Sequence, residues 1–182
     1  MKLKTLVVIV IAIDNVFGHM EHFAGTQRPV HIFLNRRYLQ VLPNGMVNGT
    51  SIRNSMYIVF RRESYKKSFV ILRNAITCMY VCMDKCGFLY GTNFFSKDCY
   101  FKEHMEENNY NTYFRIYNRK RTFLALDNFG RSRRTQISLR RHISKMSTYV
   151  LTLLKRLPNK MYTVCPKSDI LLKRQRKCKI NV

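Results

Sequence analysis

The sequence has few acidic residues and no tryptophan. Only 10 of its 182 residues are Asp or Glu, against 33 Lys and Arg, which leaves a formal net charge of +23. So large an excess exceeds what solubility requires, and it favours a polyanionic partner such as nucleic acid, anionic lipid or sulfated glycan. With 46% apolar residues, 11 Tyr and 12 Phe, the chain can still bury a core, which argues against disorder.

Long apolar runs are also scarce. The longest run, LVVIVIAI at 6–13, has eight residues, whereas a membrane-spanning helix needs about 20. Two lysines precede this run, and the small residues Val16 and Gly18 follow it at the spacing of a cleavage site. The pattern predicts a secretory signal peptide over 1–18 and hence a secreted, extracellular chain. A buried amino-terminal strand is the alternative interpretation.

Glycine occurs only seven times, yet three glycines mark a repeated phrase. The phrases are NGMVNGT at 44–50, KCGFLYGT at 85–92 and NFGRSRRT at 128–135. Their turn glycines are separated by 42 and 43 residues, and each follows a short apolar segment and turn-forming residues. The pattern predicts a strand, a tight turn and a second strand in each unit.

A further apolar segment follows each hairpin. It begins thirteen residues after the first two turn glycines, at 58–60 and 100–101, and about twenty residues after the third, at 150–154. The third unit therefore carries an insertion of roughly seven or eight residues. Three units of about 42 residues are too few for an open solenoid, so we predict an all-β fold, a β-trefoil of three pseudo-repeats closed by hairpins. Three coincidental hairpins in another β-fold are the alternative.

Basic residues concentrate in the third unit. The segment GRSRRTQISLRRHISK at 130–145 has no acidic residue, so its cations repel one another unless an anion neutralises them. Arginine predominates, and the guanidinium group matches sulfate and phosphate in a two-pronged geometry. Together with export, this composition predicts a site for a sulfated glycan. The candidate residues are Arg131, Arg133, Arg134, Arg140, Arg141 and Lys145.

Other interpretations of this charge stay open. A solvated basic face would need no ligand. A DNA or RNA site is disfavoured by export and by the lack of aromatic residues over 130–148, although KRQRK at 173–177 could serve as a nuclear localisation patch. A secreted nuclease would need two histidines and a lysine around the scissile phosphate. The sequence marks no such trio, so we expect a binding protein and not an enzyme.

All six cysteines follow the predicted signal peptide, and export permits disulfides. Six cysteines allow 15 pairings, among which spacing does not choose. Cys78, Cys82 and Cys86 lack the paired C-x-x-C spacing of zinc ribbons, so we expect no metal and no cofactor. The sequon NGT at 48–50 makes Asn48 a candidate for glycosylation, with a plain Asn-Gly turn as the alternative.

The second unit reads GFLYGTNFFSKDCYFKEHMEENNY at 87–110. This stretch resembles the fibroblast growth factor family, and the resemblance continues in YVCM at 80–83, NNYNTY at 108–113 and KRLP at 155–158. KRLP is similar to the end of the core in the subfamily of growth factor eight. The fixed positions of the family pattern are all present, namely Gly87, Leu89, Gly91, Asp98, Cys99, Phe101, Glu103 and Tyr110. A compact core, a single sequon and the lack of tryptophan are similar to the members carried by insect baculoviruses.

The resemblance covers about residues 30–158 and implies both a β-trefoil and two partners. Family members pair with heparan sulfate to dimerise receptor tyrosine kinases, and relatives bind heparin through the third-unit loop. Four residues match family positions that contact the receptor. They are Glu103, Asn108, Tyr110 and Leu154.

The resemblance also implies one disulfide and two departures from the family. Cys82 and Cys99 match positions that bond to each other in the growth-factor-eight-like subfamily. Met46 stands where many relatives have an arginine that contacts the receptor. Asp127 and Asn128 replace a basic pair before the third turn glycine, so heparin binding would fall more heavily on the arginines that follow.

These features together predict four parts of the chain. They are a signal peptide at 1–18, a flexible segment at 19–29, a growth factor domain at 30–158 and a basic, flexible tail at 159–182. The tail adds seven Lys or Arg residues that we expect to reinforce binding to polyanions.

Overall fold

The computed structural model describes residues 28–106, 109–158 and Cys165. The predicted signal peptide, most of the amino-terminal segment and the tail apart from Cys165 lie outside the described residues. Asn108, one of the four predicted receptor contacts, lies outside them as well.

The described residues form twelve strands. Along the chain they are β1 (Val30–Leu34), β2 (Arg37–Val41), β3 (Val47–Thr50), β4 (Val59–Tyr65), β5 (Phe69–Asn74), β6 (Tyr80–Met83), β7 (Leu89–Thr92), β8 (Tyr100–Met105), β9 (Asn111–Tyr117), β10 (Lys120–Phe123), β11 (Thr135–Ser138) and β12 (Thr152–Arg156). Each third of the chain contributes four of them, as the repeat predicts.

Six strands close into a barrel. The antiparallel pairs β1–β4, β4–β5, β5–β8, β8–β9, β9–β12 and β12–β1 form an unbroken ring. The other six strands pair as three hairpins, β2–β3, β6–β7 and β10–β11. A closed ring of two strands per unit with one hairpin per unit is a β-trefoil, so the predicted fold is confirmed.

Short helical turns lead into the last strand of each unit. One-turn 3₁₀ helices at Met56–Ile58 and Lys97–Cys99 precede β4 and β8. In the third unit a 3₁₀ turn, Ser144–Met146, continues into an α-helix, Ser147–Val150, before β12. The sequence prediction of a strand over 150–154 is therefore wrong at its start. Val150 is the last residue of the inserted helix, and its side chain is buried there.

The core fills the barrel and the space under the hairpins. Along β1 the side chains of Val30, Ile32 and Leu34 are buried and alternate with half-buried neighbours, as expected for a strand with one face inward. Phe60 and Phe101, from β4 and β8, are fully buried in the same cluster. Each such side chain contributes about 1.5–3 kcal/mol of transfer free energy.

The three hairpins contact one another through their backbones. The Gly91 amide donates to the Gly45 carbonyl over 2.8 Å, and the Gly49 amide donates to the Gly130 carbonyl over 2.7 Å. The Leu89 amide of the second hairpin donates to the Ser132 hydroxyl of the third over 2.8 Å. Each hairpin is thus hydrogen-bonded to both of the others. The contacts lie at the turns that the repeated phrases predict.

A buried ion pair fixes the second unit to the third. Asp98 accepts a hydrogen bond from Arg115 over 3.0 Å, and their side chains are 0% and 7% exposed. Arg115 also donates to the Met83 carbonyl, and the Tyr90 hydroxyl donates to Asp98. Removal of one partner would leave an uncompensated buried charge. This explains why an acidic residue stands in an otherwise basic chain at position 98.

Two disulfides are described. Cys82 on β6 is bonded to Cys99 before β8, the pair that the family resemblance implied. Cys78 is bonded to Cys165, 87 residues further along the chain. Cys86 is also disulfide-bonded, and none of the described cysteines is free. The bond at Cys165 ties one point of the carboxyl-terminal tail to the turn between β5 and β6.

Replacement of Gly130 by alanine tests the contact between hairpins. Gly130 has a φ of +82°, and a Cβ there would lie 2.6 Å from the Gly49 carbonyl oxygen. Because both the backbone conformation and the contact oppose a side chain, we expect G130A to lower the free energy of unfolding by about 1–3 kcal/mol. Urea denaturation of the disulfide-intact chain measures this. Phe129→Ala is the control, because Phe129 is adjacent and 76% exposed. Equal stability of G130A and the parent would contradict the role of this contact.

Candidate functional site

The turn of the third hairpin orients Arg131. Asp127 Oδ1 accepts hydrogen bonds from the amides of Phe129 and Arg131, and its Oδ2 accepts from Arg131 Nε over 2.8 Å. Burial opposes ionisation of Asp127, but these hydrogen bonds outweigh it and lower the pKa of the carboxyl. The Arg131 side chain remains 74% exposed. Asp127 therefore builds the turn and positions one cation.

The same arrangement occurs in the second turn, where Asp84 Oδ1 accepts from the amides of Cys86 and Phe88. Asp84 and Asp127 each lie three residues before the turn glycine, and Leu42 holds that position in the first turn. In the first turn Asn44, one residue before Gly45, accepts from the Met46 amide instead. The replacement of a basic residue at position 127 thus has a structural reason.

The three arginines after Gly130 do not all point the same way. Arg134 is exposed, lies beside Gly87 of the second hairpin, and donates to Gln136. Arg133 is half-buried, and its guanidinium lies 4.2 Å from the centre of the Tyr149 ring. Arg133 Nε is buried without a partner among the described residues. The structure therefore exposes Arg131 and Arg134 but holds Arg133 against Tyr149, so the predicted strip is interrupted at Arg133.

The insertion carries the remaining predicted cations and is held by its own small core. Ile143 and Tyr149 pack against a cluster beneath it that includes Phe123 and Val150. All three remaining cations are exposed: Arg140, Arg141 and Lys145. Because the insertion is anchored by buried apolar groups, its cations are displayed on a packed segment of the third unit.

Two basic turns that the sequence analysis did not identify lie beside these cations. In the β1–β2 turn, Asn35 donates to the Leu126 carbonyl over 3.0 Å, and Arg37 Nη2 donates to the Asn128 carbonyl over 3.3 Å. The adjacent Arg36 is exposed. These bonds place the first basic turn directly beside the turn of the third hairpin.

The β9–β10 turn is the second such segment. The Leu139 amide donates to the Arg119 carbonyl, and Arg121 donates to the Arg141 carbonyl over 2.5 Å. Both turns contain an Asn-Arg pair with positive φ, 43° and 62° at 35–36 and 45° and 57° at 118–119, which suits a two-residue hairpin turn. An Asn-Arg pair followed by basic residues was the sequence signal that could have revealed them. We call the combined set Arg36, Arg37, Arg119, Lys120, Arg131, Arg134, Arg140, Arg141 and Lys145 the basic surface.

Aromatic rings border the basic surface although its central segment contains none. Phe129 is 76% exposed, and the Arg131 guanidinium lies 5.1 Å from the centre of its ring. The Arg133 guanidinium lies over the Tyr149 ring in the same way. Such contacts restrict the rotamers of the arginines.

Glu103, a predicted receptor contact, is tied into the barrel. Arg62 Nη1 donates to both carboxylate oxygens of Glu103, over 2.6 and 2.5 Å, and the Tyr113 hydroxyl donates to it over 2.7 Å. Burial and the neighbouring Glu103 charge raise the pKa of Tyr113 well above its usual value, so this hydroxyl stays protonated. Burial opposes the charged form of Arg62, but Glu103 outweighs it and raises the pKa of Arg62.

The other described receptor candidates lie on neighbouring strands. Tyr110 is 37% exposed, just before β9, and its carbonyl accepts from the Glu106 amide. Leu154 on β12 is half-buried and packs against the core. Strands β8, β9 and β12 are consecutive around the barrel, so Glu103, Tyr110 and Leu154 fall on one side of it.

Asn48, the sequon asparagine, lies on β3 and forms a backbone bridge with Arg131. It therefore borders the basic surface. Within the described residues, no cluster of His, Cys, Asp and Glu could hold a metal ion. In the same part of the chain, no helix is long and apolar enough to cross a membrane.

Comparison with known proteins gives consistent matches. A family model described as fibroblast growth factor matches residues 28–149. The fibroblast growth factor homolog of Autographa californica nuclear polyhedrosis virus is 45% identical over 163 residues, covering 88% of this chain and 90% of the relative. The homolog of Orgyia pseudotsugata multicapsid polyhedrosis virus is 39% identical over 163 residues, covering 87% and 78%. Human fibroblast growth factor 10 is 34% identical over 127 residues, covering 68% and 61%.

A double-mutant cycle tests the tie between Arg62 and Glu103. Arg62→Gln leaves a half-buried carboxylate without its charged partner, so we expect it to lower the free energy of unfolding by about 1.5–3 kcal/mol. Adding Glu103→Gln to this variant should recover part of that loss, because the uncompensated charge is gone. Urea denaturation of the two single variants and the double variant gives the coupling energy. Glu63→Gln, adjacent on β4, is the control. Strictly additive single effects would show that the pair is not coupled.

Proposed function

Because the chain belongs to the fibroblast growth factor family, whose members are growth factors and not enzymes, we propose that it is a secreted growth factor that binds heparan sulfate. In this proposal it activates a fibroblast growth factor receptor tyrosine kinase on the responding cell. The basic surface binds the sulfated glycan. The receptor is bound by the side of the barrel with Glu103, Tyr110 and Leu154, and Asn108 is a further predicted receptor contact.

The observation that carries the proposal is the arrangement of the basic surface. Its cations come from four loops and their flanking residues, which hydrogen bonds join in two pairs, and most of these cations are exposed. The described acidic residue of the adjoining turn, Asp127, is already paired with Arg131. A fixed set of guanidinium groups with so little compensating charge suits a sulfated chain, because each group can donate two parallel hydrogen bonds to a sulfate.

The glycan would act as a tether. Two growth factor–receptor pairs bound to one polysaccharide chain are held at a high effective concentration, so weak contacts between the receptors suffice for dimerisation. The receptor candidates and the basic surface use different strands and loops, which permits both partners to bind at once. Binding to the glycan should release counterions and therefore weaken as salt rises.

Export belongs to the same proposal. The apolar run at 6–13 and the cleavage pattern at 16–18 support a signal peptide. The disulfides Cys78–Cys165 and Cys82–Cys99 support it independently, since such bonds persist in oxidising compartments and are rare in the cytosol.

Single charge removals test the glycan contact. In the chain without an N-linked glycan, we expect Arg131→Gln and Arg134→Gln each to elute from a heparin column at lower salt than the parent. Each should reduce the slope of log affinity against log salt by about one, because each removes one charge contact. Lys67→Gln is the matched control, because Lys67 is an exposed cation in the β4–β5 turn, outside the basic surface.

Two results would overturn the glycan assignment. One is elution of the unmodified chain from a heparin column at physiological salt. The other is tighter binding to a single-stranded nucleic acid of equal charge than to heparin, which would favour the nucleic-acid interpretation of the basic residues.

Receptor activation is tested with variants that leave the basic surface intact. Tyr110→Ala and Leu154→Ala should each lower the potency of receptor phosphorylation by about fivefold or more, because truncation of an anchor residue at the centre of an interface costs more than about 1 kcal/mol. Their elution from heparin should not change. The measurement is phosphorylation of a fibroblast growth factor receptor in cells exposed to conditioned medium that holds the cleaved chain. Thermal denaturation controls for the half-buried Leu154. Full potency in both variants would exclude this side of the barrel as the receptor site.

A further inference from the structure

The sequon strand and the third hairpin are neighbours in the fold. Asn48 forms an antiparallel bridge with Arg131, and the next residue, Gly49, donates its amide to the Gly130 carbonyl over 2.7 Å. In an antiparallel bridge, opposed side chains lie on the same face with Cβ atoms about 4.5–5.5 Å apart. Asn48 and Arg131 are 83 residues apart in sequence, and only the meeting of the hairpins places them side by side.

The Asn48 side chain points away from the core. Its neighbour Val47 is buried, and a Cβ on Gly49 would lie 2.7 Å from Leu126 Cδ1, so positions 47 and 49 face inward. Side chains alternate along a strand, so Asn48 faces outward with Arg131. Met46, two residues earlier, faces the same way and is 51% exposed.

The hydrogen bonds of Asn48 leave its nitrogen free for a substituent. Gln40 Nε2 donates to Asn48 Oδ1 over 2.8 Å and so fixes the amide plane. Asn48 Nδ2 has only a long contact of 3.5 Å to the Met46 sulfur. An N-linked sugar uses the nitrogen and keeps the oxygen as an acceptor, so the bond from Gln40 can persist in the modified protein.

We propose that Asn48 carries an N-linked glycan and that this glycan covers the Arg131 edge of the basic surface and weakens its binding to sulfated polysaccharide. This inference rests on the proposed function, both for export through a glycosylating compartment and for the polyanion that the basic surface binds. Glycosylation at this site would set how far a secreted molecule travels before extracellular polysaccharide retains it.

The modification is a transfer from an activated donor. Asn48 Nδ2 forms a bond to the anomeric carbon of an oligosaccharide carried on a lipid pyrophosphate. The bond from that carbon to the pyrophosphate oxygen breaks, the lipid pyrophosphate leaves with the electron pair, and the amide nitrogen loses one proton. No oxidant or reductant takes part.

The fold also limits when the transfer can occur. The sequon threonine, Thr50, is 8% exposed, and its hydroxyl accepts a hydrogen bond from the Ile52 amide over 3.1 Å. Strand β3 is paired with β2 along its length and bonded to the third hairpin on its other side. The transferase must therefore reach the sequon before β3 pairs, during export. The folded chain should be a poor substrate.

A glycan at Asn48 sterically blocks access of sulfated polysaccharide to part of the basic surface. The first residues of the glycan extend from β3 over the adjacent Arg131 side chain, which is 74% exposed. The more distant Arg140 and Arg141 stay accessible on the insertion. We therefore expect partial loss, with the salt slope of heparin binding reduced by about one and not abolished.

The test compares modified and unmodified forms of the whole chain. The chain is secreted from a glycosylating cell line as the parent, as Thr50→Ser, which keeps the sequon, and as Thr50→Val and Asn48→Gln, which remove it. Intact mass reports modification without ambiguity, since the sequence holds one sequon. Affinity for a defined sulfated oligosaccharide is measured at several salt concentrations. We expect the parent and Thr50→Ser to be heavier and to bind about threefold to tenfold more weakly than the other two.

A second comparison identifies where the glycan acts. In the Arg131→Gln background, removal of the sequon should change affinity much less than in the parent, because the glycan and the substitution abolish the same contact. Trimming of the glycan to its first sugar should restore part of the affinity. Equal gains in both backgrounds would show that the glycan acts elsewhere.

The outcomes separate this inference from the proposed function. If the secreted parent has no added mass at Asn48, the proposal that Asn48 is glycosylated is wrong. Added mass with unchanged affinity and salt slope overturns the coupling, although the proposed function stands. Failure of the sequon-less variants to bind heparin at physiological salt overturns the proposed function itself.

Discussion

The backbone contact among the three hairpins is the constraint on which the rest of the molecule depends. Gly45 and Gly130 offer their carbonyls to amides of the neighbouring hairpins at distances that leave no space for a Cβ. The hairpins close one end of the barrel, and their apolar side chains pack with those of the barrel strands in one core cluster. Residues far apart in the chain are brought together as a result, Arg37 with Asn128 and Asn48 with Arg131.

The scarcity of acidic residues has a structural counterpart. Most of the described ones are used inside the fold: Asp84 and Asp127 close turns, Asp98 pairs with Arg115 in the interior, and Glu103 accepts from Arg62. Since these carboxylates are occupied by local partners, they do little to offset the cations on the surface. The positive potential is therefore an outcome of where the acids lie as well as of how few there are.

Particular residues show how much of the candidate site could be predicted from the sequence. Composition singles out Arg131, Arg134 and Lys145 as glycan-binding candidates, and the structure shows that all three are exposed. The orientation of Arg133 over Tyr149 could not be predicted, because it depends on a helix that the insertion forms at Ser147–Val150. Arg37 was missed for a different reason, since its partner lies 91 residues away.

The sequence by itself determined the threefold all-β architecture, because the spacing of turn glycines and the alternation of apolar residues are local properties that the backbone must obey. It also determined that the net charge of the surface is positive, because so few carboxylates cannot balance so many cations. Only the tertiary structure decided which cations share a surface, which strand borders them and which side chains the inserted segment holds in place. Those relations depend on hydrogen bonds and packing between units about 42 residues apart, and no single stretch of the chain contains both members of such a contact.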